Sequence, residues 1–114
     1  DEHYEVKMEA GDEVKGFSIS PLLLLPLVEN AFKHISHHLE KTNFVHIRLS
    51  AQACNFTLEV INSKDPSPPK NQPGGIGLPN VKRRLELLYP GKHQLDISDE
   101  NNIYSIRLQL NLHS

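Results

Sequence analysis

At the start of the chain Tyr4, Val6 and Met8 alternate with Glu5, Lys7 and Glu9, the period-2 pattern of a strand with one apolar face. Gly11-Asp12 then supplies a turn, and Val14 to Ile19 predicts a second short strand. Ser20 followed by Pro21 reads as a helix N-cap with proline at the first helical position, so a helix is predicted from there to about Leu39. Pro26 falls within its early turns, where the missing N–H predicts a kink or a delayed regular start. At 3.6 residues per turn Leu24, Val28, Ala31, Phe32, Ile35 and Leu39 share one face, and Asn30, Lys33, His34 and His37 share the opposite one. The helix is expected to turn one face to a core and the other to chemistry.

Phe44 to Ala51 and Asn55 to Ile61 alternate again and are rich in β-branched and aromatic residues, which predicts a hairpin. Asn62 to Gly75 differs in kind, with prolines at 66, 68, 69 and 73, and reads as a long surface loop of the sort that is usually functional. A second helix is expected from near Leu78-Pro79 to Tyr89-Pro90-Gly91, with Val81, Leu85 and Leu88 as its apolar stripe. Two closing strands, about Gln94 to Ser98 and Ile103 to Leu112, flank a turn at Asp99-Glu100-Asn101-Asn102. The order ββ-α-ββ-loop-α-ββ predicts an α+β fold over residues 1–114, a two-layer sandwich with both helices on one face of a mixed, mostly antiparallel sheet.

Composition narrows the function classes. A chain of 114 residues supports one core rather than two. A formal charge of -2 gives no electrostatic case for nucleic acid. The single cysteine, Cys54, has no partner for an internal disulfide, so a reducing compartment is expected. The apolar run from Pro21 to Val28 is far shorter than the ~20 residues that span a bilayer. The chain opens on Asp1 without a targeting pattern and is expected to be a piece of something longer.

The candidate chemistry lies in two segments. In Leu27-Val28-Glu29-Asn30-Ala31-Phe32-Lys33-His34, the Asn30 amide oxygen is a hard neutral ligand suited to a magnesium ion that keeps water and bridges phosphates. Glu29 can orient a metal-bound water or the incoming nucleophile. Lys33, one turn beyond Asn30, can bring a cation to a phosphate, and His34 borders the same face. Gly75-Ile76-Gly77 before the second helix lets backbone pass close to phosphate oxygens, and that helix's N-terminus, at Leu78, adds N–H donors. Each residue taken alone is also compatible with an ordinary helix surface or a flexible turn. No lysine followed by Ser or Thr comes after the glycines, which excludes a P-loop.

Together, Pro21 to His34 and Gly75-Ile76-Gly77-Leu78-Pro79-Asn80-Val81-Lys82-Arg83-Arg84-Leu85-Glu86-Leu87-Leu88-Tyr89 closely resemble the ATP-binding domain of LytS-type bacterial sensor histidine kinases. The first segment is similar to that family's N box and the second to its final glycine box, in the same order. The resemblance implies a Bergerat ATP-binding fold with ATP and Mg2+ bound between the first long helix and a lid at about residues 63–74. Carried over by position, Asn30 would hold magnesium and Glu29 would help align the acceptor. Lys33 and His34 would approach the phosphates, Gly75 and Gly77 would shape the end of the lid, and Gly75, Ile76, Gly77 and Leu78 would bind the nucleotide. Where the family carries Asp-x-Gly-x-Gly, this chain has Asn62-Ser63-Lys64-Asp65-Pro66, so Asn62 would be the acceptor for the adenine amino group.

The activity so implied is transfer of the ATP γ-phosphoryl group to a histidine on an upstream dimerisation domain of the same polypeptide, with a response regulator downstream. The full-length protein is expected to be a homodimer anchored in the inner membrane, with this domain in the cytoplasm. None of the chain's seven histidines has the setting of a phosphate acceptor. Two alternatives share the fold: a serine kinase of the anti-sigma-factor type, and a degenerate docking module, which the altered Asp-x-Gly-x-Gly segment motivates.

Overall fold

The computed structural model describes residues 3–14, 19–37, 41–65, 77–100 and 102–112. One sheet contains β1 (His3–Ala10), β2 (Thr42–Gln52), β3 (Asn55–Ser63), β4 (His93–Glu100) and β5 (Ile103–Asn111), in the order β1-β2-β3-β5-β4. β1 and β2 are parallel and the other neighbouring pairs antiparallel. Helices α1 (Pro21–His34) and α2 (Gly77–Leu88) pack side by side on one face of it. The expected α+β sandwich is the observed one.

The strand alternation sets the core. Val45 and Ile47 of β2, Phe56, Leu58 and Val60 of β3, and Ile106, Leu108 and Leu110 of β5 are buried beneath the helices. Their neighbours along each strand point to the other face and are more exposed. At the hairpin between β2 and β3, Ala53 takes φ 54°, a left-handed conformation at the first of two turn residues, which matches the twist of the strands it joins.

Four expectations are corrected. Val14 lies in a 3-10 turn over Asp12–Val14, its amide donating to Gly11 O at 3.1 Å and its side chain packing against the core, and Ile19 is not in a strand. Residues 15–18 of the expected second strand lie outside the described residues. Helix α1 ends at His34 because Ile35 turns to extended backbone (φ -62°, ψ 145°) and Ser36 donates its N–H to Ser63 O on β3 at 2.9 Å. The buried stripe of α1 is Leu23, Leu27 and Ala31 together with Asn30, so the core face is rotated from the expected one and leaves Phe32 exposed. On α2, Val81 and Leu85 are buried as expected, whereas Leu88 is exposed.

The entry to α1 follows local chemistry. Ser20 Oγ accepts from Leu22 N at 3.2 Å, as an N-cap should. Pro26 has no N–H to offer the carbonyl of Leu22 four residues earlier. Arg84 of α2 supplies the donor instead, Nη1 to Leu22 O at 2.8 Å. The bond therefore satisfies an orphaned carbonyl and ties the late part of α2 to the first turn of α1.

Topology then fixes where the helix ends lie. The sheet order makes β1 and β2 parallel to each other and β3 parallel to β4, with the two pairs running in opposite directions. Each helix returns against the strands it joins, so α1 and α2 are antiparallel, an arrangement with which the Arg84–Leu22 bond agrees. Both crossovers step the same way across the sheet from oppositely directed strands, so with both helices on one face one crossover must be left-handed, against the usual preference. The last turns of α1 and the first turn of α2 come together at one end, above the start of β2, the end of β3 and the start of β5.

Candidate functional site

At that end α1 contributes Asn30 and His34, β3 contributes Asn62, and β5 contributes Tyr104. Asn62 and Tyr104 are direct cross-strand partners. His34 stacks on the Tyr104 ring, with centroids 5.4 Å apart and planes at 29°. Burial raises the Tyr104 pKa above its usual 10.0, and the adjacent Asn30 side chain offsets part of that rise; the Asp99 carboxylate raises it further and the Lys64 ammonium lowers it. The phenol is thus held neutral at the junction of helix and sheet.

The two asparagines are the most informative groups here. Asn30 is 5% exposed and Asn62 is 0% exposed. Both Asn30 Nδ2 and Asn62 Oδ1 are enclosed; among the described residues Asn62 Oδ1 has no hydrogen-bond partner, and Asn30 Nδ2 has only the neighbouring Tyr104 hydroxyl, outside ordinary hydrogen-bond geometry. Enclosing such an atom unpaired costs about 1–3 kcal/mol, and native proteins rarely tolerate it without a functional reason. Asn62 Nδ2 donates to Ser63 O at 2.9 Å, which fixes the amide so that the unpartnered atom is its acceptor oxygen. One buried donor and one buried acceptor thus lie on either side of Tyr104.

A second polar cluster stands beside them and is fully bonded. Ser36 Oγ donates to Asn43 Oδ1 and lies 2.7 Å from Ser63 Oγ, which in turn accepts from Phe44 N at 2.8 Å. Asn43 Nδ2 donates to His3 O on β1 at 2.9 Å. This cluster clasps the end of α1 to β1, β2 and β3. Nothing in the sequence pattern marked Ser36, Asn43 or Tyr104, since a serine after a helix, an asparagine opening a strand and a strand tyrosine are each commonplace.

The other expected site residues are placed differently. Glu29 and Lys33 are exposed, one turn apart on the outer side of α1, so the structure does not bring them to the Asn30–Asn62 pair. His34 is partly buried by its stacking. Asn62 and Ser63 lie in the last residues of β3, not in a loop. Gly77 opens α2 and Leu78 packs partly buried against the core, whereas Gly75, Ile76 and most of the expected lid lie outside the described residues. Lys64 pairs with Asp99 at 2.5 Å, and the Asp65 carboxylate faces the His37 N–H at 3.3 Å, closing the rim beyond β3.

Among the described residues no group of three or more His, Cys, Asp or Glu could hold a metal ion. The Asn30 amide oxygen is a single hard, neutral donor, which suits an ion whose other ligands are water and phosphate. Magnesium brought in with a nucleotide fits that description.

Comparison with known proteins bears on the fold. No protein-family model matches the chain, and neither does any curated protein. Solved structures do match. The catalytic domain of histidine kinase ThkA, in a nucleotide-free form, is similar at a TM-score of 0.66 and 16% identity, over 96% of this chain and 80% of that one. The histidine kinase domain of the Erythrobacter litoralis blue-light activated histidine kinase is similar at 0.67 and 15%, over 96% of this chain and 55% of that one. Acinetobacter baumannii histidine kinase AdeS is similar at 0.61 and 14%, over 98% and 55%. The chain has the fold of a histidine kinase catalytic domain. At these identities the likeness is one of fold, so the site must carry the functional argument.

Proposed function

We propose that this chain is the ATP-binding catalytic domain of a LytS-type sensor histidine kinase. The observation that carries the proposal is the pair of enclosed amide atoms without an ordinary hydrogen bond, Asn30 Nδ2 and Asn62 Oδ1, where α1, β3 and the start of α2 converge. An acceptor held in one orientation suits the exocyclic amino group of adenine better than the carbonyl of guanine. Because Asn62 is fully enclosed, adenine must displace side chains above it; His34 stacks on Tyr104, the cross-strand partner of Asn62.

Through its Oδ1, not the enclosed Nδ2, Asn30 would supply the one protein ligand to magnesium, which when bound neutralises charge on the transferring phosphates. The α2 N-terminus, opened by Gly77, offers N–H groups and a favourable dipole to phosphate oxygens. In the transfer, the bond from γ-phosphorus to the bridging oxygen of ADP breaks. A bond to the unprotonated ring nitrogen of a histidine on the upstream dimerisation domain forms, and the proton on the other ring nitrogen leaves to base or water. The protein's part is mainly positioning and electrostatics. Glu29 is exposed on α1, which supports a role toward an approaching acceptor domain rather than the nucleotide. The same reading carries a homodimeric, inner-membrane-anchored full-length kinase that passes phosphate to a response regulator.

Mg-ATP titration calorimetry on Asn30→Ala tests the site. Losing a bond to a charged group is worth about 1.5–3 kcal/mol, so affinity should fall roughly ten- to a hundredfold with the fold intact by circular dichroism. Unchanged affinity would sink the assignment. The second reading, a docking module that no longer binds nucleotide, is favoured by one observation: Asn62 is both neutral and fully enclosed. Absence of heat and of thermal shift at millimolar Mg-ATP in the unmodified chain would establish it instead.

A further inference from the structure

β1 is an edge strand, and among the described strands only β2 pairs with it. All eight of its residues are exposed. Its register with β2 sets Tyr4, Val6 and Met8 beside Asn43, Val45 and Ile47, so they continue the core-facing side of the sheet. The helices do not cover them: Tyr4, Val6 and Met8 are 48%, 59% and 64% exposed. Tyr4 meets His37 through its hydroxyl and its ring, while Val6 and Met8 remain more than half exposed; an edge strand with such an exposed apolar face and no proline or bulge is a template for another strand.

We infer that this edge pairs antiparallel with β1 of a second copy of the chain, about a two-fold axis at Val6, joining two sheets into one. Charge decides the occupant and the register. Pairing centred on Val6 sets Glu5 opposite Lys7 of the second copy, Lys7 opposite Glu5, and His3 opposite Glu9. Tyr4 meets Met8 and Val6 meets Val6 on the apolar side. The equally long register centred on Lys7 sets Lys7 against Lys7 and Glu5 against Glu9, and like charges directly opposite are destabilising. Slipping by one residue places apolar side chains opposite charged ones on the wrong face. Within each chain Glu5 already meets His46 at 2.9 Å and Glu9 approaches Arg48 at 3.8 Å, so the seam extends existing ladders of alternating sign. The opposite edge, β4, carries Asp96, Asp99 and Glu100 with no Lys or Arg and would line such a seam with carboxylates. Only one edge is self-complementary, which gives a closed dimer rather than a filament.

Sedimentation equilibrium of the chain across micromolar to millimolar concentration tests this, with circular dichroism to verify folding. The unmodified chain should associate to twice its 12.9 kDa mass and no further. Lys7→Glu sets a carboxylate opposite Glu5 twice per dimer and should weaken association roughly tenfold. The double variant Glu5→Lys with Lys7→Glu restores opposite charges and should recover it. A monomer throughout, or a double variant no better than Lys7→Glu alone, would overturn the inference.

Discussion

Two groups of buried amides sit at the same end of the sheet and differ in one respect. Asn43, with Ser36 and Ser63, has its side-chain oxygen and nitrogen both bonded, to the Ser36 hydroxyl and to His3 O. Asn30 and Asn62, on the neighbouring elements, each keep one enclosed atom that makes no hydrogen bond of ordinary geometry among the described residues. Both groups are equally removed from water, so desolvation alone does not distinguish them. The bonded group holds the fold together, tying the end of α1 to the sheet. The unbonded pair lowers stability, and its retention makes sense if a ligand completes it. Stability and binding should therefore respond to substitution in opposite ways on the two sides.

The largest effect on stability belongs to the bonded side. Asn43→Ala removes the donor to His3 O and the acceptor for Ser36, and should cost about 3 kcal/mol in urea denaturation. The Mg-ATP affinity of the folded fraction should change little. A smaller cost, about 1 kcal/mol, is expected for Ser36→Ala, because the Ser36 amide keeps its bond to Ser63 O while the hydroxyl is lost. If either variant instead left stability intact and removed binding, the division between the two groups would be wrong.

Tyr104, at the centre of the unbonded pair, sharpens the comparison through pH. Its pKa is raised in the folded state, so folding favours the protonated phenol. That contribution is present below the unfolded value near 10.0 and is lost as pH rises through the folded pKa. Tyr104→Phe should flatten the fall of stability above pH 10, measured by denaturation at a series of alkaline pH values. An unchanged alkaline slope would place the titration elsewhere.

How much of this was legible in the sequence depended on whether the cause was local. Ser20-Pro21 announced the start of α1 because capping uses atoms two residues apart. The β2–β3 hairpin and its alternation were legible for the same reason. The buried face of α1 was not, because Leu22 to Leu25 are four consecutive leucines and offer the core no unique stripe. The end of α1 was also hidden. No glycine or proline marks it, and it is set by Ser36 bonding to Ser63 across the fold. Asn30 and Asn62 were legible as chemistry, yet their burial and their shared neighbour Tyr104 follow from strand register, which the sequence does not spell out.

Asn62→Leu is the most direct test that the unbonded amides form a ligand site. Leucine has a similar shape, removes the stranded acceptor and leaves Ser63 O bonded to the Ser36 amide. Thermal unfolding with and without millimolar Mg-ATP reads both quantities at once. The account predicts a melting temperature equal to or above that of the unmodified chain, with the nucleotide-induced rise lost. A clear fall in melting temperature together with an undiminished nucleotide-induced rise would contradict it.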